Sequence, residues 1–339
     1  RPQWQISIFD RGVRRGESLR AVAQAQFKSV FLFGDDLSLG TLLKPTALSE
    51  LTYLTGRYAA PLNIVPGNIF IEGTTSNSRP RSALPDRDLE GDLTIAALGY
   101  SIPLLLEPKR RFITSAKFEW ADASEREDGS ILYQDKLRTI QLSATYDSAR
   151  SRNRTVSARL EYTGGLDAFN ASTGNSVFLS RADGDSQFNK IAVLASLKQR
   201  FSRNFSVSVG LDAQYADSPL LFLEEFSFGG GNFGRGYDYG EILGDSGIAA
   251  YLEAGLNGDT NGLLTGWEIY GFGDVGVVWN QGTGLSSDGE PLYSAGAGIR
   301  LNLSDNISVS YEAAHPLSDA PFTLDDTSTR HRVQLTAKN

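Results

Sequence analysis

The sequence contains no cysteine, which excludes a disulfide framework and any thiolate metal site. It also suits a chain that passes through an oxidising compartment. Histidine is nearly absent: His315 and His331 are the only two. That inventory speaks against a His-based metal centre or a Ser-His-Asp triad, and no nucleophile-base pair stands out. No enzymatic role, cofactor or metal is expected. Methionine is missing altogether, even at position 1, and no signal peptide opens the chain. The numbering is therefore expected to begin inside a processed or trimmed precursor. A net charge of -8 lacks the basic balance of a nucleic-acid binder. No apolar run approaches the roughly 18 to 20 residues of a membrane-crossing helix.

What the sequence does have is alternation. In "ISVSYEA" (307–313) Ile307, Val309, Tyr311 and Ala313 share one face and Ser308, Ser310 and Glu312 the other. The same period of two runs through "FSVSVGLDAQY" (205–215), "TVSARLEY" (155–162) and "YSAGAGIRLNLS" (293–304). This is the side-chain period of a strand with two unlike faces. Sixteen such segments run from 4–11 to 330–338. The connections after even-numbered segments are short ("FGDD", "LEPKR", "DN"), whereas several after odd-numbered ones are long and polar, including 217–245. Tight turns on one rim and long loops on the other predict an all-β, 16-stranded antiparallel transmembrane barrel, read as a single domain over 1–339. Alternating segments whose one face is apolar imply an integral protein whose outer wall meets outer-membrane lipid and lipopolysaccharide. Both termini are expected on the periplasmic, short-turn side.

The strand "WEIYGFGDVGVVWN" (267–280) adds a second indication. Trp267 and Trp279 lie on its outward row, twelve positions apart, or roughly 30 Å along the bilayer normal at about 3.3 Å per residue and about 40° tilt. They are expected in the two interfacial aromatic girdles. The other row, Glu268, Tyr270, Phe272, Asp274 and Gly276, is expected to face the lumen.

An ionised Asp274 in a narrow barrel needs a partner. The candidate is Arg235 in the glycine-crowded "FGGGNFGRGYDYG" (228–240). That stretch lacks the Lys-Ser/Thr ending of a phosphate loop and is a single copy of what would have to be a tandem calcium repeat. Glycine permits close backbone approach. Loop 217–245, folded into the lumen, would let Arg235 reach Asp274.

Gly234-Arg235-Gly236-Tyr237, followed on the thirteenth strand by Phe272-Gly273-Asp274-Val275-Gly276, resembles the paired motifs V-R-G-[YF] and [FG]-x-D-x-G of the TpsB transporters of two-partner secretion. "GAGIR" (296–300), "AAHPL" (313–317) and "DRGVRRG" (10–16) also resemble family segments. The resemblance implies a pore with an inserted loop anchored by that arginine and aspartate; Gly296, Gly298, Arg300, Glu253 and Glu312, on the inward rows of their strands, are expected as supporting lumen residues. It further implies a secreted, TpsA-like partner exported without ATP, and periplasmic POTRA domains that these 339 residues do not contain. A larger envelope complex is a further partner to be considered. Gly234 departs from the family valine.

Two other functions share parts of this pattern. An insertase of the same superfamily would work at a lateral seam between the first and last strands, and a diffusion porin would have no use for a glycine-ringed arginine. Asp35-Asp36 reads as a turn pair. "RADGDS" (181–186) reads as a solvated acidic loop rather than a calcium site.

Overall fold

Pairing a strand on both sides leaves no backbone donor or acceptor facing hydrocarbon, and only a closed sheet does this for every strand. The computed structural model adopts that solution. It describes residues 2–11, 19–48, 50–62, 64–79, 88–151, 153–260, 262, 264–282, 289–319 and 327–339. Most of the "DRGVRRG" segment thus lies outside the described residues.

The barrel strands are β1 (Gln3–Arg11), β2 (Leu19–Lys28), β3 (Asp36–Leu43), β4 (Leu51–Pro61), β5 (Asn68–Ser78), β6 (Leu89–Glu107), β7 (Arg110–Glu127), β8 (Ser130–Ser151), β9 (Arg154–Gly165), β10 (Asn189–Arg200) and β11 (Phe205–Ala216). Two short strands of loop 217–245 follow, β12 (Phe226–Phe228) and β13 (Ile242–Gly244). The wall resumes with β14 (Ser246–Asp259), β15 (Gly266–Trp279), β16 (Leu292–Asn302), β17 (Ile307–Pro316) and β18 (Arg330–Lys338). All neighbours in the wall are antiparallel, and β1 closes on β18 from Gln5↔Lys338 to Arg11↔Arg332. The sixteen-stranded all-β barrel expected from alternation is therefore the architecture observed.

The two faces of the sheet follow from the alternation. In β9 Leu160 and Tyr162 are exposed on the outside while Arg159 and Glu161 line an interior cavity. Ile8, Leu54, Leu98, Leu142 and Leu252 continue the outer apolar surface around the wall. The interior between β4 and β9 carries Arg57, Glu72, Lys117, Arg159 and Glu161. Arg57 pairs with Glu72 at 2.9 Å and Lys117 with Glu119 at 2.6 Å.

β6, β7 and β8 have 19, 18 and 22 residues, about twice the roughly 9 to 11 that cross a bilayer. β7 and β8 join at a two-residue turn, Asp128 and Gly129, and β8 runs from 130 to 138 before its pairing with β9 begins at Thr139↔Gly165. Pro103, which cannot donate to a ladder, coincides with a shift of the β6–β7 register between Pro103 and Leu105.

A buried apolar cluster lies between the wall and loop 217–245. Phe226, Phe228, Tyr237 and Ile242 of the loop pack with Ala249, Val278 and Leu292 of β14–β16. The loop is held as a hairpin by β12–β13 pairing, Phe226↔Gly244 to Phe228↔Ile242.

Candidate functional site

Space for the loop comes from missing side chains on both partners. A Cβ on Gly236 would lie 2.7 Å from Ser294 Cβ and 2.8 Å from the backbone of His315 and Pro316, so only glycine lets the loop touch the wall there. Gly234 has φ +73°, in the left-handed region that β-branched residues strongly disfavour. A valine there, as in the family motif, would have to leave this conformation. On the wall, Gly276 leaves room for the Phe228 ring, Gly296 for Phe272 and Gly298 for Tyr270.

The close approach brings Arg235 onto Asp274. The Arg235 backbone N–H donates to Asp274 Oδ2 at 2.8 Å, Nη2 donates to Oδ1 at 2.9 Å, and Nε lies 3.2 Å from both oxygens. This is a bidentate, charge-assisted contact between groups that are 6% and 4% exposed. Nη1 reaches Glu253 Oε2 at 3.0 Å and Glu312 Oε2 at 3.5 Å. The guanidinium stacks over Phe272 with its carbon 3.4 Å from the ring centroid. Burial acts to lower the Arg235 pKa, but Asp274, Glu312 and Glu253 outweigh it and hold it above its ordinary value. The guanidinium therefore stays charged.

The surrounding residues complete this contact. Ser294 Oγ donates to Asp274 Oδ2 at 3.1 Å and receives the Gly236 N–H at 3.3 Å. The Tyr237 hydroxyl donates to the Tyr293 carbonyl at 2.8 Å and accepts the Ser318 N–H at 3.2 Å. Arg300 bridges Glu253 (2.8 Å) and Glu268 (2.9 Å) over the face of Tyr270, whose hydroxyl donates to Glu312 at 2.9 Å. One step further along the loop, Arg330 of β18 donates to Asp238 at 3.2 Å.

All of Gly234, Arg235, Gly236, Tyr237, Phe272, Asp274, Gly276, Gly296, Gly298, Arg300, Glu253 and Glu312 thus occupy one connected region. Trp267 and Trp279 lie apart from it, at the two ends of β15. Ser294, Arg330 and Tyr251, whose ring centroid lies 5.5 Å from the Arg235 guanidinium carbon, join the region without having been singled out in the sequence. Ser294 and Arg330 do lie on strands with clear alternation, which gives them their inward parity.

The family model described as haemolysin secretion/activation protein ShlB/FhaC/HecB matches residues 6–301. The chain belongs to this family. It is the TpsB family whose motifs the sequence carries, and its members form outer-membrane barrels of two-partner secretion. Among solved structures, CdiB from Escherichia coli superposes with a TM-score of 0.79 at 18% identity, covering 99% of this chain and 62% of its own. CdiB from Acinetobacter baumannii gives 0.76 at 15%, covering 100% of this chain and 60% of its own. BamA from Haemophilus ducreyi lacking POTRA domains 1-3 gives 0.68 at 12%, covering 100% and 70%. At these identities the likeness establishes the barrel fold. This chain spans about three fifths of the length of the two CdiB chains. No curated protein matches it by sequence.

This ShlB/FhaC/HecB-family barrel holds its loop at a second level, near the rim. Arg181, in the connection between β9 and β10, donates to Asp245 at 2.7 Å, Glu225 at 3.3 Å, Asp183 at 2.7 Å and the Gln281 carbonyl at 2.9 Å. Asp245 also accepts the Leu220 N–H at 2.7 Å and the Gln281 N–H at 2.6 Å. Both feet of loop 217–245 and the connection after β15 therefore meet at one guanidinium. Burial pushes the Glu225 carboxyl up to about 7, with Arg181 opposing and Asp245 and Asp183 adding to the shift. The "RADGDS" stretch is consequently not a freely solvated loop: Asp183 braces a buried arginine. Among the described residues no group of acidic or histidine side chains is arranged to hold a metal ion.

Proposed function

We propose that the barrel is the outer-membrane pore of a two-partner secretion transporter, carrying a secreted TpsA-like polypeptide through its lumen without ATP. In this reading loop 217–245 is an internal brace and gate, anchored deep by Arg235 on Asp274 and near the rim by Arg181 on Asp245. The carrying observation is the buried Arg235–Asp274 contact in a member of this family. A passive porin has no need to sink a complete hairpin, with its own aromatic core, into its conduit.

The opposite wall suits the cargo. Between β4 and β9 the interior alternates cations with acids, most already paired, such as Arg57–Glu72 and Arg159–Glu161. A surface of neutralised charge offers an extended chain hydrogen-bonding groups without an apolar patch or single-signed field to arrest it. The termini and short turns would face the periplasm, where POTRA domains would deliver the cargo. The outer wall would contact lipid and lipopolysaccharide, with Trp267 and Trp279 at the two interfaces.

The test places a photo-crosslinking amino acid at Lys117, which faces the lumen, or at Leu142, which faces outward, in cells making the TpsA-like secreted protein encoded with the transporter, once a search of the neighbouring reading frames has supplied it. Crosslinks to the exported chain from position 117 and not 142 are expected. Crosslinks from neither position during active secretion would remove the lumen as the route. General loss of outer-membrane proteins on depletion would instead favour an insertase.

A further inference from the structure

The connection between β2 and β3 is unlike the other turns on its rim. Four consecutive apolar residues, Val30, Phe31, Leu32 and Phe33, are 41%, 74%, 55% and 97% exposed, with no charged residue between Lys28 and Asp35. The next turn on the rim adds Ile64, 96% exposed, and Val65. In water, such a row would be an aggregation liability.

Most backbone donors of this turn are taken up within it. The buried Asp35 carboxylate accepts the N–H groups of Val30 (2.6 Å), Phe31 (2.8 Å) and Leu32 (2.7 Å), and the Ser29 hydroxyl accepts that of Gly34 at 3.0 Å. The Asp35 N–H is taken by the Leu32 carbonyl at 3.2 Å. Apolar side chains point outward while a single carboxylate gathers donors that lipid could not satisfy.

The turn also leans toward the outer face. Arg57 and Ala59 of β4 line the interior, so Tyr58 between them faces outward. The Phe31 ring meets Tyr58 edge-on at 5.7 Å, and the Tyr58 hydroxyl donates to Asp35 at 2.9 Å. The wall is shortest here. β3 has eight residues, about 20 Å along the normal at about 3.3 Å rise and about 40° tilt, against an apolar band of about 25 Å.

We infer that turn 29–35, with Ile64 and Val65 beside it, is a lipid-inserted foot that extends the barrel's apolar belt below the short strand β3 into the acyl chains of the nearer leaflet. The occupant is phospholipid hydrocarbon. The inference rests on the membrane reading of the outer wall, and the experiment separates the two.

Because the chain has no cysteine, Phe33→Cys accepts a single bimane label without background. Its side chain is almost wholly exposed, so the change removes no core packing. Leu160→Cys, mid-strand on the outer wall, and Ser130→Cys, at the tip of the β7–β8 hairpin, serve as references. Each is reconstituted in phosphatidylethanolamine/phosphatidylglycerol vesicles containing phospholipid with acyl-chain nitroxide, then challenged with iodide. Position 33 should lose most of its emission to the nitroxide lipid, as position 160 does, and resist iodide, which quenches position 130. Iodide quenching at 33 with lipid quenching at 160 would overturn the foot and leave the membrane reading intact. Protection of 33 from both quenchers would overturn it in favour of protein covering the turn. Absence of lipid quenching at 160 would remove the membrane reading itself.

Discussion

Arg181 in the β9–β10 connection and Asp245 at the end of the inserted loop lie 2.7 Å apart, 9% and 0% exposed at their side chains. With Arg235 on Asp274 below, loop 217–245 is held at two depths by two arginines from different parts of the chain. Each contact buries a charge that is stable only while its partner remains.

Removing Arg181 should open the upper part of the loop. Asp245 would be left buried against two backbone donors without its cation, and breaking a buried pair in this way costs roughly 3–5 kcal/mol. Arg181→Ala should therefore sharply reduce hydrogen-exchange protection at 219–228 and 242–246, while β14–β16 stay protected. Unchanged protection at those loop positions would show that Arg181 holds nothing.

The same clasp should respond to pH. Glu225 has a carboxyl pushed up to about 7 by burial, against about 4.3 for a free glutamate. The closed loop therefore binds a proton more readily than the open one. Its contribution to closure is complete below about 4.3 and is lost as pH rises through 7. Arg181, Asp245 and Asp183 face this carboxyl. Maleimide labelling of Ala216→Cys, fully buried beneath the loop, gives the opening rate. The ratio of the Ala216→Cys rate to that of Ala216→Cys/Glu225→Gln cancels the thiol's own titration. It should rise between pH 5 and pH 8, and a flat ratio would contradict this role.

Gly236→Ala should act like loss of the arginine without touching any charge. Its methyl would meet the His315 and Pro316 backbone at 2.8 Å, and backbone cannot move aside as a flexible side chain does. The loop must lift, taking the Arg235 N–H from Asp274. Secretion should fall by about tenfold or more while the barrel still inserts and shows heat-modifiable mobility; one or two kcal/mol of displaced loop is sufficient for such a change. Secretion equal to wild type would show that the contact at Gly236 is dispensable.

Much of this structure was legible in the sequence because a barrel wall writes its two environments at alternate positions. All sixteen wall strands fall where period two placed them. Departures occur where that contrast ends. Apolar "VFL" at 30–32 reads as a continuation of the second alternating segment, 19–32, yet β2 ends at Lys28, Ser29 turns at φ 55° and Asp35 gathers the backbone. The alternation reads the seventh segment as 111–122, but β7 continues to Glu127, held by its pairing with β6 and β8 where the sequence turns polar on both rows. Arg235 and Asp274 could be paired because each is an isolated charge that burial obliges to find a partner. Arg181 could not: its partners lie 44, 64 and 100 positions away, and an arginine beside two aspartates looks like a solvated turn until the loop covers it.

Single-channel conductance of the purified barrel in planar bilayers tests the Arg235–Asp274 anchor most directly, with wild type, Arg235→Ala, Asp274→Ala and the double variant compared. Two residues acting as one contact should be non-additive. Each single change should raise the open-channel fraction by about tenfold or more, consistent with the roughly 3–5 kcal/mol of a broken buried pair, and the double variant should match the singles. Wild-type currents from all three variants, or a double variant in which the two effects multiply, would contradict the anchor.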